Sequence, residues 1–414
     1  MNSARVRLCI ALALAVILSQ FYRSSLGVIA PEISADLALT PEMLGFANAC
    51  FFISLGIVQV PVGVLFDRVG VRTTYLWLTG VSVAGALLQA WAETGTGLAV
   101  ARLLMGVGSG AGFMSVVMLC ARWFPPERHS TAMAVLFALS QIGVLLAATP
   151  LAAATAAYGW RPVFVLAAAV TVICGLLYAA WVRDDPPGSP PPPRPAQVQH
   201  LGVIAGYRRV LGTPDVGGVL AMHLFAYAAV ATLIGLWAGP YLADVHGLTP
   251  VERGNVLLAM GVGQLVGLLA VGPLDRVFDT RKWIVVGGAA ASVATLAALA
   301  ILDRPSLAVA VTLLVVLALV SQYPVVNVAH GRSLFTSDIA GRGVTTVNLS
   351  QVVGAAALPW ITGAVIGYAS GPRGPHPEFA YRLIFATIAA LLAAGLVVYL
   401  RVRDVKPSDP GGRS

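Results

Sequence analysis

The chain of 414 residues is 58% hydrophobic and 11% charged, with a formal net charge of +8 and a mean hydropathy of +0.83. Soluble domains carry roughly 25% charged residues, so a soluble fold is excluded. The four cysteines, Cys9, Cys50, Cys120 and Cys174, are scattered without metal-ligand spacing, which argues against a disulfide framework.

A helix of about 20 apolar residues crosses a bilayer. Runs of that kind predict twelve transmembrane helices, at 8–30, 43–65, 74–93, 97–121, 130–154, 160–182, 214–242, 252–273, 283–301, 306–330, 343–369 and 379–400. Arg5 and Arg7 before the first run imitate a secretory signal. No small-residue cleavage pattern closes it, and the apolar stretch continues through Leu26-Gly27-Val28-Ile29-Ala30, so it reads as an uncleaved first helix. Gly106, Gly108, Gly110 and Gly112 alternate in the fourth helix and are expected to let neighbouring helices approach. After Arg183-Asp184-Asp185, the segment Pro186 to Pro195 holds seven prolines and reads as an extended, semi-rigid spacer. Tyr207-Arg208-Arg209 follows, either as a short surface helix or as a basic linker near anionic lipid. The expected architecture is an all-α membrane protein: a six-helix bundle over 1–182, a cytoplasmic Pro-rich linker over 183–213, and a second six-helix bundle with a short tail over 214–414.

Nineteen of the 26 basic residues fall on one side of the membrane in this arrangement and five on the other, with Arg23 and Arg102 inside helices. Short cytoplasmic loops are enriched in Lys and Arg, so both termini are expected in the cytoplasm. Topology accounts for the +8, and no nucleic-acid partner is expected.

The chain repeats itself about 209 residues apart. Pro31 returns as Pro240, Leu39-Thr40-Pro41 as Leu248-Thr249-Pro250, and Leu139-Ser140-Gln141 as Leu349-Ser350-Gln351. Gly63, Asp67, Arg68 and Arg72 return as Gly272, Asp275, Arg276 and Arg281, and Arg122 as Arg332. Duplicated halves in a very apolar chain are typical of secondary transporters, so the bundles are expected to be pseudo-symmetric.

Gly63-Val64-Leu65-Phe66-Asp67-Arg68-Val69-Gly70-Val71-Arg72 lies between the second and third helices. Asp67 there is placed to accept from amides at a helix start or to pair with an arginine of another loop. The alternative is a solvated turn that sets topology. The stretch resembles the G-x-x-x-D-R/K-x-G-R/K-R/K signature of the major facilitator superfamily through Gly63, Asp67, Arg68, Gly70 and Arg72, with Val71 replacing one basic residue. The second copy, around Asp275 and Arg276, is degenerate. Arg102-Leu103-Leu104-Met105-Gly106-Val107-Gly108 resembles the superfamily's R-x-x-x-G-x-G pattern. The resemblance implies a role for Arg102 in proton coupling or packing; snorkelling to the interface is the other reading. Arg122-Trp123-Phe124-Pro125-Pro126-Glu127-Arg128 is similar to a loop common in the superfamily, with Glu127 and the arginines able to form a charge network.

Gln20-Phe21-Tyr22-Arg23-Ser24-Ser25 is the most polar stretch within the first helix. A guanidinium there would offer a two-pronged donor to a carboxylate or phosphate. It resembles the helix-one arginine region of the anion:cation symporter branch, where the resemblance implies contact with a substrate anion. Thr232 stands at the equivalent position of the second half, so a singly anchored monocarboxylate fits better than a clamped phosphate. The alternative is a structural Arg23 bonded to helix-end carbonyls or Glu32. His223 with Tyr227 one turn on, Gln322, Tyr323, Asn327, Gln141, Asn348 and Gln351 are further candidates for a solute site, each also suited to joining helices. His223 is in addition a candidate proton shuttle. No Asp or Glu lies deep in a predicted helix, which disfavours a cationic solute. With no nucleotide cradle or metal cluster, no cofactor is expected.

These readings lead to a secondary transporter of a small solute, expected to be an organic anion, acting by alternating access in the cytoplasmic membrane as a monomer. Asp67, Arg68, Asp275 and Arg276 would gate it, and protons are candidate co-transported ions. An exporter of neutral or amphipathic compounds and a non-transporting sensor or assembly protein on the same fold are the alternatives.

Overall fold

The computed structural model describes residues 3–186, 203–336, 339–370 and 376–408. Most of the proline-rich linker lies outside the described residues, as does the side chain of Glu127. Among the described residues there is no strand. The spanning helices are α1 (Ser3–Asp36), α2 (Pro41–Arg68), α3 (Val71–Ala90), α4 (Gly95–Trp123), α5 (Pro126–Leu146 continued by Thr149–Tyr158) and α6 (Trp160–Trp181). The second half supplies α7 (Val216–Asp244), α8 (Pro250–Val277), α9 (Lys282–Ile301), α10 (Leu307–Ser333), α11 (Ala340–Ser370) and α12 (Glu378–Tyr399). Eleven of these meet both the length and the hydropathy needed to cross a bilayer. The twelfth, α3, has the length, 20 residues, but carries Thr73, Thr74, Tyr75 and Gln89. It packs lengthwise against α4 and α6. A short helix, Val203–Leu211, carries Arg208 and Arg209 in its last turn.

The duplicated tripeptides form duplicated local structure. Thr40 caps α2, its hydroxyl accepting from the Met43 amide at 3.3 Å, with Pro41 at the first helical position. Thr249 begins α8 in the same way, and Glu252 reaches back to the Thr249 amide at 2.8 Å to complete a capping box. Ser140 and Ser350 each donate to a carbonyl three residues back, Phe137 at 2.6 Å and Val347 at 2.7 Å.

The chain divides into two compact units. The first comprises Met1–Ser189, Leu233–Gly261 and Pro359–Pro377; the second comprises Pro190–Thr232, Val262–Leu358 and Glu378–Ser414. The boundary within α7 falls where α-helix gives way to π-helix at Leu233–Trp237, and the boundary within α11 falls at Pro359. Both are places where a helix can bend.

In the first unit, Leu8, Leu12, Val16, Val62, Phe66, Val116 and Leu119 form the centre of an apolar cluster, beside Tyr75 stacked on Tyr178 at 4.0 Å. The α4 glycines serve the expected packing role: a Cβ at Gly106 would strike Ser54 and Phe51 of α2, and one at Gly108 would strike Ser82 of α3. At the end of this unit away from Ser3, Gly27 lies against Ile234 and Gly235, and Gly45 lies against Pro359. Trp237 Nε1 donates to Thr362 Oγ1 at 2.7 Å, and Thr149 Oγ1 bonds Asn255 Oδ1 at 2.9 Å. Glu32 of α1 forms an ion pair with Arg253 of α8, which is only 4% exposed. In the second unit, α9, α12 and the first part of α7 pack around Val219, Met222, Ile384, Ile388 and Leu392.

Candidate functional site

Close backbone approach sets the site in the first unit. At Gly143 a Cβ would collide with Ile17, Gln20 and Phe21, so glycine there lets α5 lie directly on α1. That contact brings Gln141 to Gln20, whose Nε2 donates to Gln141 Oε1 at 3.3 Å. Arg23 follows three residues after Gln20 and shares its helix face. It is half-buried, with Cζ 5.9 Å from the ring centroid of Phe52 on α2 and 5.6 Å from that of Phe113 on α4. Both distances lie within cation–π range. Phe113 meets Phe137 of α5 at 5.4 Å and 33°, which extends the aromatic wall towards Gln141. A guanidinium between two ring faces, beside paired amides, can bind an anion and orient it.

Tyr22 goes elsewhere. It is 1% exposed and hydrogen-bonds Thr171 Oγ1 of α6 at 2.7 Å, so it joins helices and leaves no surface for a solute. Arg102 does not snorkel. It is fully buried and donates to Tyr22 O at 2.7 Å and Asn48 Oδ1 at 3.0 Å, over the Phe51 ring at 4.7 Å. Glu32, a candidate partner for Arg23, instead pairs with Arg253.

In the second unit His223 and Asn327 are completely buried, Asn327 Nδ2 lying 3.2 Å from His223 Nδ1 and 3.3 Å from Val219 O. Gln351 lies beside the same imidazole, so the repeated Leu-Ser-Gln places its glutamine on the first helix of its half both times. Tyr323 is 1% exposed against Gly288. In this conformation His223, Asn327 and Tyr323 are buried and hold α7, α9 and α10 together. Tyr227, Gln322 and Gln351 are half-buried and Asn348 is exposed. Gln322 donates to Ala318 O at 3.0 Å.

Asp67 and Arg68 are exposed, and the carboxylate at the start of α3 is that of Asp184, which accepts from the Arg72 amide at 2.8 Å. Gly70 has φ +98°, and a Cβ there would also strike Asp184, so both the turn and the contact require glycine. Arg72 donates to Ala179 O at 2.5 and 3.1 Å, Trp123 Nε1 to Arg183 O at 3.0 Å, and Arg122 pairs with Asp185 at 3.7 Å. The second unit repeats the clasp with Asp404, which accepts from Thr280 Oγ1 at 2.5 Å and from the amides of Lys282 at 3.0 Å and Arg281 at 3.2 Å. Arg281 also pairs with Asp275 at 3.8 Å, while Arg276 is exposed. His330 takes the place of Trp123, donating from Nε2 to Arg403 O at 3.0 Å and accepting at Nδ1 from the Tyr399 hydroxyl at 2.6 Å.

Burial raises the Asp404 carboxyl, but the Thr280 hydroxyl and the two amides outweigh it and hold it below its usual range. A depressed carboxyl stabilises the fold above its unfolded pKa and loses that contribution as pH falls through the folded value. Asp404→Asn is therefore expected to lower the unfolding midpoint at neutral pH. The gap to wild type should close as pH drops below about 4, in thermal unfolding of both proteins over a pH series.

Comparison with known proteins agrees with this architecture. The family model of the Major Facilitator Superfamily matches residues 12–334 and 219–414. The chain is 23% identical to a putative tartrate transporter of Agrobacterium vitis, over 94% of this chain and 91% of that protein. It is 25% identical to the 3-(3-hydroxy-phenyl)propionate transporter of Escherichia coli (strain K12), over 96% and 94%. The crystal structure of a bacterial homolog of the human lysosomal transporter Spinster, inward-facing and unoccupied, superposes with a TM-score of 0.78 at 16% identity, covering 96% of this chain and 97% of that one. Spanning helices, duplicated halves and this family match together make the chain a member of the major facilitator superfamily, a multi-pass membrane transporter and not an enzyme.

Proposed function

We propose that this chain is a secondary transporter of a small organic anion, with Arg23 binding the carboxylate. The observation that carries this reading is the half-buried Arg23 guanidinium between Phe52 and Phe113, one turn from the Gln20–Gln141 pair. The planar fork of that guanidinium matches a carboxylate in geometry and charge. The relatives named for tartrate and for 3-(3-hydroxy-phenyl)propionate, both carboxylates, support the same class. The duplicated halves support alternating access between bundles 1–182 and 214–414, joined by the linker 183–213. The charge asymmetry supports insertion in the cytoplasmic membrane with both termini in the cytoplasm. Arg208 and Arg209 would rest on anionic lipid, and the working unit would be a monomer. Asp67 and Arg68, exposed here, would gate in a second conformation together with Asp275 and Arg276. Proton coupling would run through the substrate carboxylate or His223.

The test is uptake into proteoliposomes by wild type and Arg23→Gln, alongside solute-induced thermal stabilisation. Hydrogen bonds to charged groups contribute about 1.5–3 kcal/mol each. The variant is therefore expected to insert normally and to bind carboxylates about a hundredfold more weakly. Wild-type uptake by Arg23→Gln, or stabilisation by neutral or cationic compounds alone, would make Arg23 structural and favour the exporter reading.

A further inference from the structure

Resting on the organic-anion reading, we infer that Gln351 of α11 donates from its amide to an oxygen of the solute. His223 of α7 is the positioning residue that sets the direction of that amide.

Close backbone approach brings the two together. A Cβ at Gly354 would strike Leu224 O, so glycine there lays α11 directly on α7 next to His223. Gln351, just under one turn before Gly354, lies beside the imidazole. In the first unit Gly143 and Gln141 stand to α1 in the same way, and Gln20 Nε2 holds the Gln141 carbonyl at 3.3 Å. The face of α11 that carries Gln351 is polar at every third residue, with Thr345 and Asn348 exposed before it. Polar side chains repeated along one face of a membrane helix are costly against lipid and suit a path open to solute.

The chemistry of the buried pair fixes which nitrogen of His223 carries its proton. Asn327 Nδ2 lies 3.3 Å from Val219 O and 3.2 Å from His223 Nδ1. The reversed amide would set its oxygen against the Val219 carbonyl, so the amide nitrogen faces both groups and Nδ1 accepts. The proton then sits on Nε2, and a second proton on Nδ1 would set donor against donor. Nε2 is fully buried and, among the described residues, has no hydrogen-bond partner; Gln351 is its neighbour, short of hydrogen-bond geometry. A buried donor left without an acceptor is unfavourable. Gln351 is half-buried and can turn its carbonyl to Nε2, which directs its NH2 away from the imidazole. A solute oxygen that accepts from that NH2 favours the same orientation. His223 therefore adds to solute affinity through Gln351 without touching the solute.

The experiment uses the purified full chain, with tartrate and 3-(3-hydroxy-phenyl)propionate as probes, read by equilibrium titration and by uptake into proteoliposomes. Gln351→Glu still accepts from Nε2 but offers the solute no donor, and it is expected to bind the better probe about tenfold to a hundredfold more weakly. His223→Leu should weaken binding several-fold, and His223→Gln, which keeps a donor, should restore most of it. The double variant His223→Leu/Gln351→Leu should bind no more weakly than Gln351→Leu, because the two residues act as one unit. In uptake, KM should rise while Vmax per folded protein holds. Wild-type affinity in Gln351→Glu, with binding lost in Arg23→Gln, would overturn the Gln351 contact and leave the anchor standing. Lower folded yield of His223→Leu at unchanged affinity would make His223 a packing residue and overturn its positioning role. Loss in Gln351→Glu but not in Arg23→Gln would keep the contact and remove the anchor. Failure of both probes to bind wild type would overturn both readings.

Discussion

Arg253→Ala is expected to be among the most destabilising single changes in the protein, and more destabilising than removal of both members of its pair. The Arg253 side chain is 5% exposed and pairs with Glu32, itself 25% exposed, joining α8 to α1 within the first unit. Breaking a buried pair by removing one partner costs about 3–5 kcal/mol, because the other charge is left without compensation. Replacing both by neutral groups removes the attraction and the desolvation cost together, so Glu32→Gln/Arg253→Gln should recover much of the loss. The neighbouring Thr149–Asn255 and Trp237–Thr362 hydrogen bonds hold the same end of the unit. Each contributes about 1 kcal/mol, too little to replace the pair. Unfolding midpoints of wild type, both single variants and the double variant in one detergent give the cycle. Equal, small shifts in all three variants would place the pair among solvated surface bridges worth about 0–1 kcal/mol.

Much of the fold could be read from the chain because bilayer thickness and duplication act on long stretches. Twelve apolar runs, a repeat near 209 residues and threonine–proline helix starts are features of composition and spacing, and they appear as helices and caps. The helix α3 carries a weaker hydropathy signal because it packs between α4 and α6, where Thr74 and Tyr75 are buried among protein groups.

The site was less legible, because in an all-apolar helix the sequence does not say which way a polar residue faces. Gln20 and Tyr22 are two residues apart yet point to α5 and α6 respectively. The aromatic partners of Arg23 come from α2 and α4, distant in sequence. The clasps at Asp184 and Asp404 did leave a signal: Val182-Arg183-Asp184 recurs as Val402-Arg403-Asp404, both valines buried. Its offset is 220, outside the 209 register, because it marks where α6 and α12 end and not a position within the shared loop motif.

Arg102→Leu is the second large effect expected. Leucine fills part of the volume and removes the charge, so a purely electrostatic cost would be relieved by the change. The structure predicts the opposite result. Arg102 is the donor that satisfies Asn48 Oδ1 where no water reaches, and that acceptor left alone costs about 1–3 kcal/mol. Its bond to Tyr22 O is lost as well, although Tyr22 O keeps the Ser25 hydroxyl at 3.1 Å. Tyr22 has a further tie, to Thr171 of α6, so the loss would loosen α1 against α2, α4 and α6 together. Arg102→Lys should not rescue it, because a single ammonium cannot present the planar fork that reaches two acceptors on different helices. Both variants are expected to give poor yields of monodisperse protein and lowered unfolding midpoints. Adding Asn48→Leu to Arg102→Leu should cost less than the sum of the separate changes, since it removes one orphaned acceptor. Arg102→Leu at wild-type stability would mean that α1 and α2 hold their places without this arginine. Its burial would then have to be explained by transport, which uptake at matched protein levels would measure directly.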